Sequence, residues 1–178
     1  YVQADVSRLE DVELVVKTAK ARFSQINGVI HSAGINKDSF ILRKSKEEID
    51  KVLEPKIYGA VNLDYATRGE KLDAFILFSS IAGAMGNLGQ CDYAYANHFL
   101  DSFAESRESL VKEQKRFGKT LAINWPYWQE GGMILSHDEI AVAKTQCGLF
   151  PLPTKEGTPY LMEFLRSGLS QGVALYGL

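Results

Sequence analysis

Cysteine is scarce in this sequence: Cys91 and Cys147 are the only two in 178 residues. That is too few for a disulfide framework, and they do not stand at metal-ligand spacing. Proline is scarce too, at 5 residues against 15 glycines, and the mixture disfavours collagen, coiled coil and disorder. Neither sign of charge dominates. Lys+Arg 20 against Asp+Glu 22 leaves a formal charge of -2, so no electrostatic case exists for nucleic acid or an acidic membrane as partner. No apolar run reaches the length of a membrane span, and the first residues lack the basic-then-apolar layout of a secretory signal. We expect a reducing, cytoplasmic setting, with no metal and no membrane. What is present is a globular composition, 46% hydrophobic and 24% charged, in a length suited to one domain.

Periodicity supplies the organisation. Tyr1–Val6 alternates and predicts a strand. Leu9, Val12, Val15, Val16, Ala19 and Phe23 form one apolar stripe, which predicts a helix over 7–23. Residues 28–33 read as a short buried strand ending at Gly34. Ser45 with Glu48 is a capping-box pattern and opens a second helix, expected to break at Pro55 and resume through Leu63. Ala74–Phe78 is continuously apolar, as in a parallel strand buried on both faces. A glycine-rich loop (79–90), a long helix (92–114) and a strand (120–125) follow. Helices near 137–146 and 155–166 and a strand at 173–176 complete the chain. Alternating strands and helices predict an α/β fold with a doubly wound parallel sheet.

Ligands of such sheets bind beyond the carboxyl ends of the strands. Those positions hold Asp5, Ala33-Gly34, Ser79-Ser80 and Pro126. Tyr93 follows Ser80 by 13 residues, and Asn97 follows Tyr93 by 4, which places both on one helix face. Lys56 stands 24 residues before Ser80, beside Pro55. Any one of these residues alone could be a turn former or a packed side chain; together they form a constellation.

The segments Ala4-Asp5-Val6, Gly28 to Gly34, Glu54-Pro55-Lys56, Phe78-Ser79-Ser80, Tyr93-Ala94-Tyr95-Ala96-Asn97 and Asn124-Trp125-Pro126 resemble, in order and spacing, the ketoreductase domains of modular type I polyketide synthases. These are a branch of the short-chain dehydrogenase/reductase superfamily. Many superfamily members carry Tyr-x-x-x-Lys; here Tyr-x-x-x-Asn stands with the lysine upstream, similar to the synthase branch. The resemblance implies a Rossmann-like sheet and NADPH-dependent reduction of a β-ketoacyl thioester tethered to an acyl carrier protein. Other domains of the synthase would be its partners. No Gly-x-Gly-x-x-Gly occurs, and that loop brings backbone amides to a pyrophosphate. We therefore expect residues 1–178 to be the catalytic portion of such a domain, lacking its N-terminal β-α-β start.

On this resemblance Tyr93 is the proton donor, with Lys56 lowering its pKa and holding the nicotinamide ribose. Ser80 would donate a hydrogen bond to the substrate oxygen, and Asn97 would orient the lysine or a connecting water. Asp5 and Val6 match the position that touches adenine, Ala33 and Gly34 the turn beneath the cofactor, and Pro126 the carboxamide of nicotinamide. Stereochemical type is read from two places. A Leu-Asp-Asp motif marks reductases that set the D-hydroxyl; here the triplet is Asn36-Lys37-Asp38, so only Asp38 is kept. The opposite type carries tryptophan where Met85 stands. The expectation is therefore a B-type (D-hydroxyl) reductase. Trp125, Tyr127, Trp128, Gly131 and Gly132 are either a hinged aromatic lid or, for the tryptophans, packing against the sheet edge. His31 reads as a satisfied core histidine. Two other functions stay open: a short-chain dehydrogenase acting on a free small ketone or alcohol, and a non-catalytic structural or docking domain.

Overall fold

Two side-chain periods, one of two residues and one of about 3.6, build the architecture. The computed structural model describes residues 1–133 and 135–178. Helix α1 (Leu9–Phe23) leads to strand β1 (Gly28–His31), helix α2 (Lys46–Ala66) and strand β2 (Ala74–Ser80). A short helix α3 (Ile81–Met85) and the long α4 (Cys91–Lys112) precede β3 (Lys119–Trp125), α5 (His137–Cys147), α6 (Thr154–Arg166) and β4 (Gln171–Val173). The strands form one sheet in the order β1-β2-β3-β4, every pair parallel.

Both faces of β2 are covered, which explains its unbroken apolar run. Phe75 and Leu77 pack with Ala60 of α2 and Leu100 and Ala104 of α4. Ile76 and Phe78 turn the other way, toward Leu121, Ile123 and Trp125 of β3 and Leu161 and Phe164 of α6. Burial of both faces removes the polar alternation a half-exposed strand would show. β1 is covered on one side only: Val29 and His31 are buried, whereas Ile30 is exposed. Ser45 caps α2 as expected, its hydroxyl accepting from the Glu48 amide at 3.2 Å and the Glu48 carboxylate returning the bond to Ser45 N at 3.0 Å.

Several boundaries differ from expectation. Residues 1–6 are not a strand, because they have no ladder partner in the sheet and alternation alone cannot supply one. Helix α2 runs unbroken through Pro55. Proline there forfeits the bond to the carbonyl of Lys51, but Lys51 is exposed, so water can take that carbonyl. The glycine-rich loop contains α3, whose cap is Ser80 itself. The last strand ends at Val173 because the chain then leaves β3 for residues 148–150, with Phe150 N donating to Tyr176 O at 2.8 Å.

Candidate active site at the carboxyl edge of the sheet

α2 and α4 lie side by side on one face of the sheet, and their inward sides deliver Lys56 and Tyr93 to its carboxyl edge. Lys56 is 4% exposed, and its Nζ donates to the carbonyl of Phe78 at 2.9 Å, just before the end of β2. The same ammonium stands 5.9 Å from the centroid of the Tyr93 ring. Gly34 makes this possible: a Cβ there would meet Lys56 Cε at 2.8 Å and Nζ at 3.3 Å. The bare turn after β1 is thus the space the lysine stem occupies.

Tyr93 is buried, and its hydroxyl meets Met133 Sδ at 3.6 Å. Burial raises its pKa from the ordinary 10.0, and the Ser80 and Asn97 side chains nearby pull it partly back. This corrects the expectation that Lys56 holds the phenol down. The lysine faces the Phe78 carbonyl, and desolvation is the larger influence on Tyr93. Burial lowers Lys56 itself from 10.5 to about 8, opposed by the charge of Asp101. Ser80 accepts from Ala82 N at 3.2 Å, which leaves its own proton to donate. Asn97 is fully buried; its Nδ2 donates to Tyr93 O at 2.8 Å, and its Oδ1 has no partner among the described residues.

Beneath these groups lies a polar layer whose function the sequence did not show. Asn124, opposite Ser79 in the β2–β3 register, shares its amide protons among Ser79 Oγ (3.0 Å), Ser80 O (3.0 Å) and Asp101 Oδ2 (2.8 Å). Ser79 Oγ in turn donates to Asn97 O at 3.1 Å. Burial pushes the Asp101 carboxyl up, with Asn124 and Ser79 offsetting it. Asp101 could have been found by spacing, since it continues the Tyr93, Asn97 face of α4 by one more turn. His31 is buried and held neutral, with a pKa lowered to about 4 by burial first and the Lys56 charge second. Its Nε2 has no partner among the described residues, so it is a core histidine but an incompletely satisfied one.

The remaining expected residues sit at varied distances from this centre. Pro126 is buried directly after β3, and Ala33 is half-buried beside Gly34. Asp38 is exposed and accepts from Gln90 Nε2 at 2.7 Å. Met85 closes α3 and is exposed. Asp5 is exposed too, its Oδ1 accepting from Ser7 N at 2.9 Å and Ser7 Oγ at 2.7 Å. Val6 is tied to α2 through Asn62 Nδ2, which donates to its carbonyl at 3.1 Å. The two tryptophans are packing elements. Trp125 and Trp128 meet edge-to-face at 5.0 Å, and Trp128 lies so close to Gly157 of α6 that a Cβ there would be 2.3 Å from its ring. Trp128 is therefore clamped, which removes it from any lid.

The residues present fit the two ends of a dinucleotide. Lys56 has one bond among the described residues and two further N–H donors, and the Asp5 carboxylate lies on an exposed residue. No glycine-rich phosphate loop is present in the sequence to match.

Lys56→Met is expected to separate stability from activity. The buried ammonium binds its proton less tightly than in the unfolded chain, so its cost is fully present below pH 8 and fades as pH rises toward 10.5. Allowing for the Phe78 carbonyl left unpaired, the variant should gain about 1–2 kcal/mol at neutral pH and turn to a loss of about 1 kcal/mol at high pH, where only the missing hydrogen bond counts. Urea unfolding across that pH range is the check; equal gains at all pH values would refute the assignment.

A family profile described as "KR domain" matches residues 1–130. The chain is 41% identical over its whole length to polyketide synthase PksL of Bacillus subtilis, of which it spans 4%. Among solved structures, it superposes on a ketoreductase domain from the bacillaene assembly line with a TM-score of 0.95 and 41% identity, over 98% of this chain and 42% of that one. An N-terminal ketoreductase from the macrolactin assembly line follows at TM-score 0.87 and 38% identity, over 99% of this chain and 33% of that one.

Proposed function

The chain belongs to the KR-domain family, the ketoreductases of polyketide synthases, and from that premise we propose that it carries the catalytic side chains for NADPH-dependent reduction of a carrier-tethered β-ketoacyl thioester to the β-hydroxyacyl thioester. The observation that carries this reading is the convergence of Lys56, Ser80, Tyr93 and Asn97 at one end of the sheet. A nicotinamide held beside Lys56 would supply the hydride for the ketone carbon.

The chain's own residues handle the oxygen. Tyr93, with its pKa raised by burial, holds its proton at neutral pH and gives it to the oxygen as the C=O bond opens. Ser80 donates a hydrogen bond to the same oxygen as charge develops there. Lys56 stands beside the ring, positions the ribose and offers a proton with a pKa of about 8, which suits it to resupply the phenol. Asn97, with an open Oδ1 acceptor, orients that ammonium or an intervening water. Asp5 and Val6 hold adenine, while Ala33, Gly34 and Pro126 line the nicotinamide end. Asp38 retained and tryptophan missing at Met85 support a D-configured hydroxyl.

The test is NADPH consumption by the intact protein with a carrier-bound β-ketoacyl thioester and with untethered ketones, followed by chiral analysis. Turnover of the carrier-bound substrate to mainly D-alcohol is expected. A mainly L product overturns the stereochemical assignment, turnover of free ketones alone overturns the carrier, and no turnover of either overturns the reductase.

A further inference from the structure

A buried ion pair stands apart from the groups used so far. Lys44 Nζ meets Asp92 Oδ2 at 2.6 Å, and the two side chains are 0% and 1% exposed. Asp92 directly precedes Tyr93 and accepts the Tyr93 amide on Oδ1 at 2.9 Å. The Lys44 ammonium also donates to the carbonyl of Lys37, the residue before Asp38. One cation therefore joins the backbone at Asp38 to the backbone at Tyr93. Two flanking ties run the same way: Ser39 N donates to Gly89 O at 2.9 Å, and Gln90 Nε2 to Asp38 Oδ2 at 2.7 Å. The first joins half-buried residues and the second ends on the exposed Asp38, so the fully buried pair is the anchor of the three.

Stability does not account for placing two charges there. A buried ion pair of this kind is often no more stabilising than apolar side chains of the same volume, because both charges lose their hydration. What it does supply is a directional link, since only one placement of the segment satisfies the carboxylate and the Lys37 carbonyl together.

We propose that Lys44 and Asp92 are positioning residues for specificity: they fix the Asp38 segment against the start of α4 and so determine which face of the ketone is presented to the hydride. This rests on the reductase reading above. The link acts through the backbone at Asp38 and at Tyr93 and makes no contact with the Tyr93 hydroxyl or the Lys56 ammonium.

The experiment compares Lys44→Met, Lys44→Arg and Asp92→Asn with the parent in the intact protein, with folding verified by thermal melting. Two quantities are read: the ratio of D- to L-alcohol, and the rate of tryptic cleavage after Lys37 and Arg43. Lys44→Met and Asp92→Asn are expected to shift the alcohol ratio at least tenfold toward the minor product and to speed cleavage about as much. Lys44→Arg, which keeps the charge, should retain most of the parental ratio. Parental cleavage rates in the folded variants would overturn the link. Faster cleavage with an alcohol ratio within twofold of the parent would overturn the specificity role and leave a merely structural pair. A parent that forms no alcohol would sink the reductase reading, and with it the specificity role, whereas the cleavage rates would still decide whether the link exists.

Discussion

Tyr93→Phe is expected to lower ketone reduction by roughly 10²–10⁴-fold, the usual contribution of a positioned general acid, while the protein stays folded. The substitution removes a single oxygen that donates to the thioether of Met133 at 3.6 Å, a weak acceptor, with the Ser80 and Asn97 side chains nearby. The ring, its burial against Val52 and Ala82, and the ammonium above it all remain. A melting temperature within a few degrees of the parent should therefore accompany the loss. Reduction needs a proton on the oxygen at the moment hydride reaches the carbon, and the raised pKa of this phenol keeps that proton available at neutral pH. The control is Tyr95→Phe. Tyr95 is 62% exposed on the same helix and should be dispensable. Parental kcat/KM in Tyr93→Phe would remove the assignment of the proton donor.

The second large effect is structural. Asp64 on α2 receives Arg107 Nε of α4 at 2.8 Å and the guanidinium of Arg116 through Nε (2.9 and 3.0 Å) and Nη2 (2.8 Å). Arg107 is 2% exposed, caps Thr120 Oγ1 at 2.8 Å and Phe117 O at 3.1 Å, and stacks 4.4 Å above Phe75. Arginine does not neutralise itself when its partner leaves. Asp64→Ala therefore leaves a buried cation without its counter-charge and should cost about 3–5 kcal/mol by chemical denaturation. Asp64→Ala combined with Arg107→Met should cost less than the two single changes added, because the stranded charge is removed as well. Strict additivity would contradict the account. The pair also links the two helices that carry Lys56 and Tyr93, so a partly folded Asp64→Ala protein should lose activity beyond its loss of folded population.

Much of this was legible in the residues. The apolar run of β2 and the capping box at Ser45 are local patterns with local causes and appear where expected; the stripe of α1 forms its helix, but of its residues only Val12 is buried and Phe23 is 67% exposed. Ser80 was readable as a strand end at the edge where ligands bind, and Lys56, Tyr93 and Asn97 joined it as a set through their spacing and the family resemblance. Other features depend on partners distant in sequence. Alternation in Tyr1–Val6 could not reveal whether a neighbouring strand was there to pair with it. Pro55 looked like a break because the exposure of Lys51 is a tertiary fact. The direction of the Tyr93 shift was misjudged for a related reason: proximity of a lysine was legible, but not the burial of the phenol that raises its pKa. Lys44 and Asp92 are separated by 48 positions and carry no mutual pattern, so only folding brings them together.

The contact between Gly34 and Lys56 has a consequence for any redesign of this fold. Because the lysine stem fills the volume of a missing side chain, positions 34 and 56 form one joint variable. Under the mechanism proposed above, a library that diversifies the turn after β1 to accommodate a different cofactor would displace the ammonium first, altering proton supply before recognition. Screening such a library for binding alone would reward variants that hold the cofactor in place and have lost the means to use it.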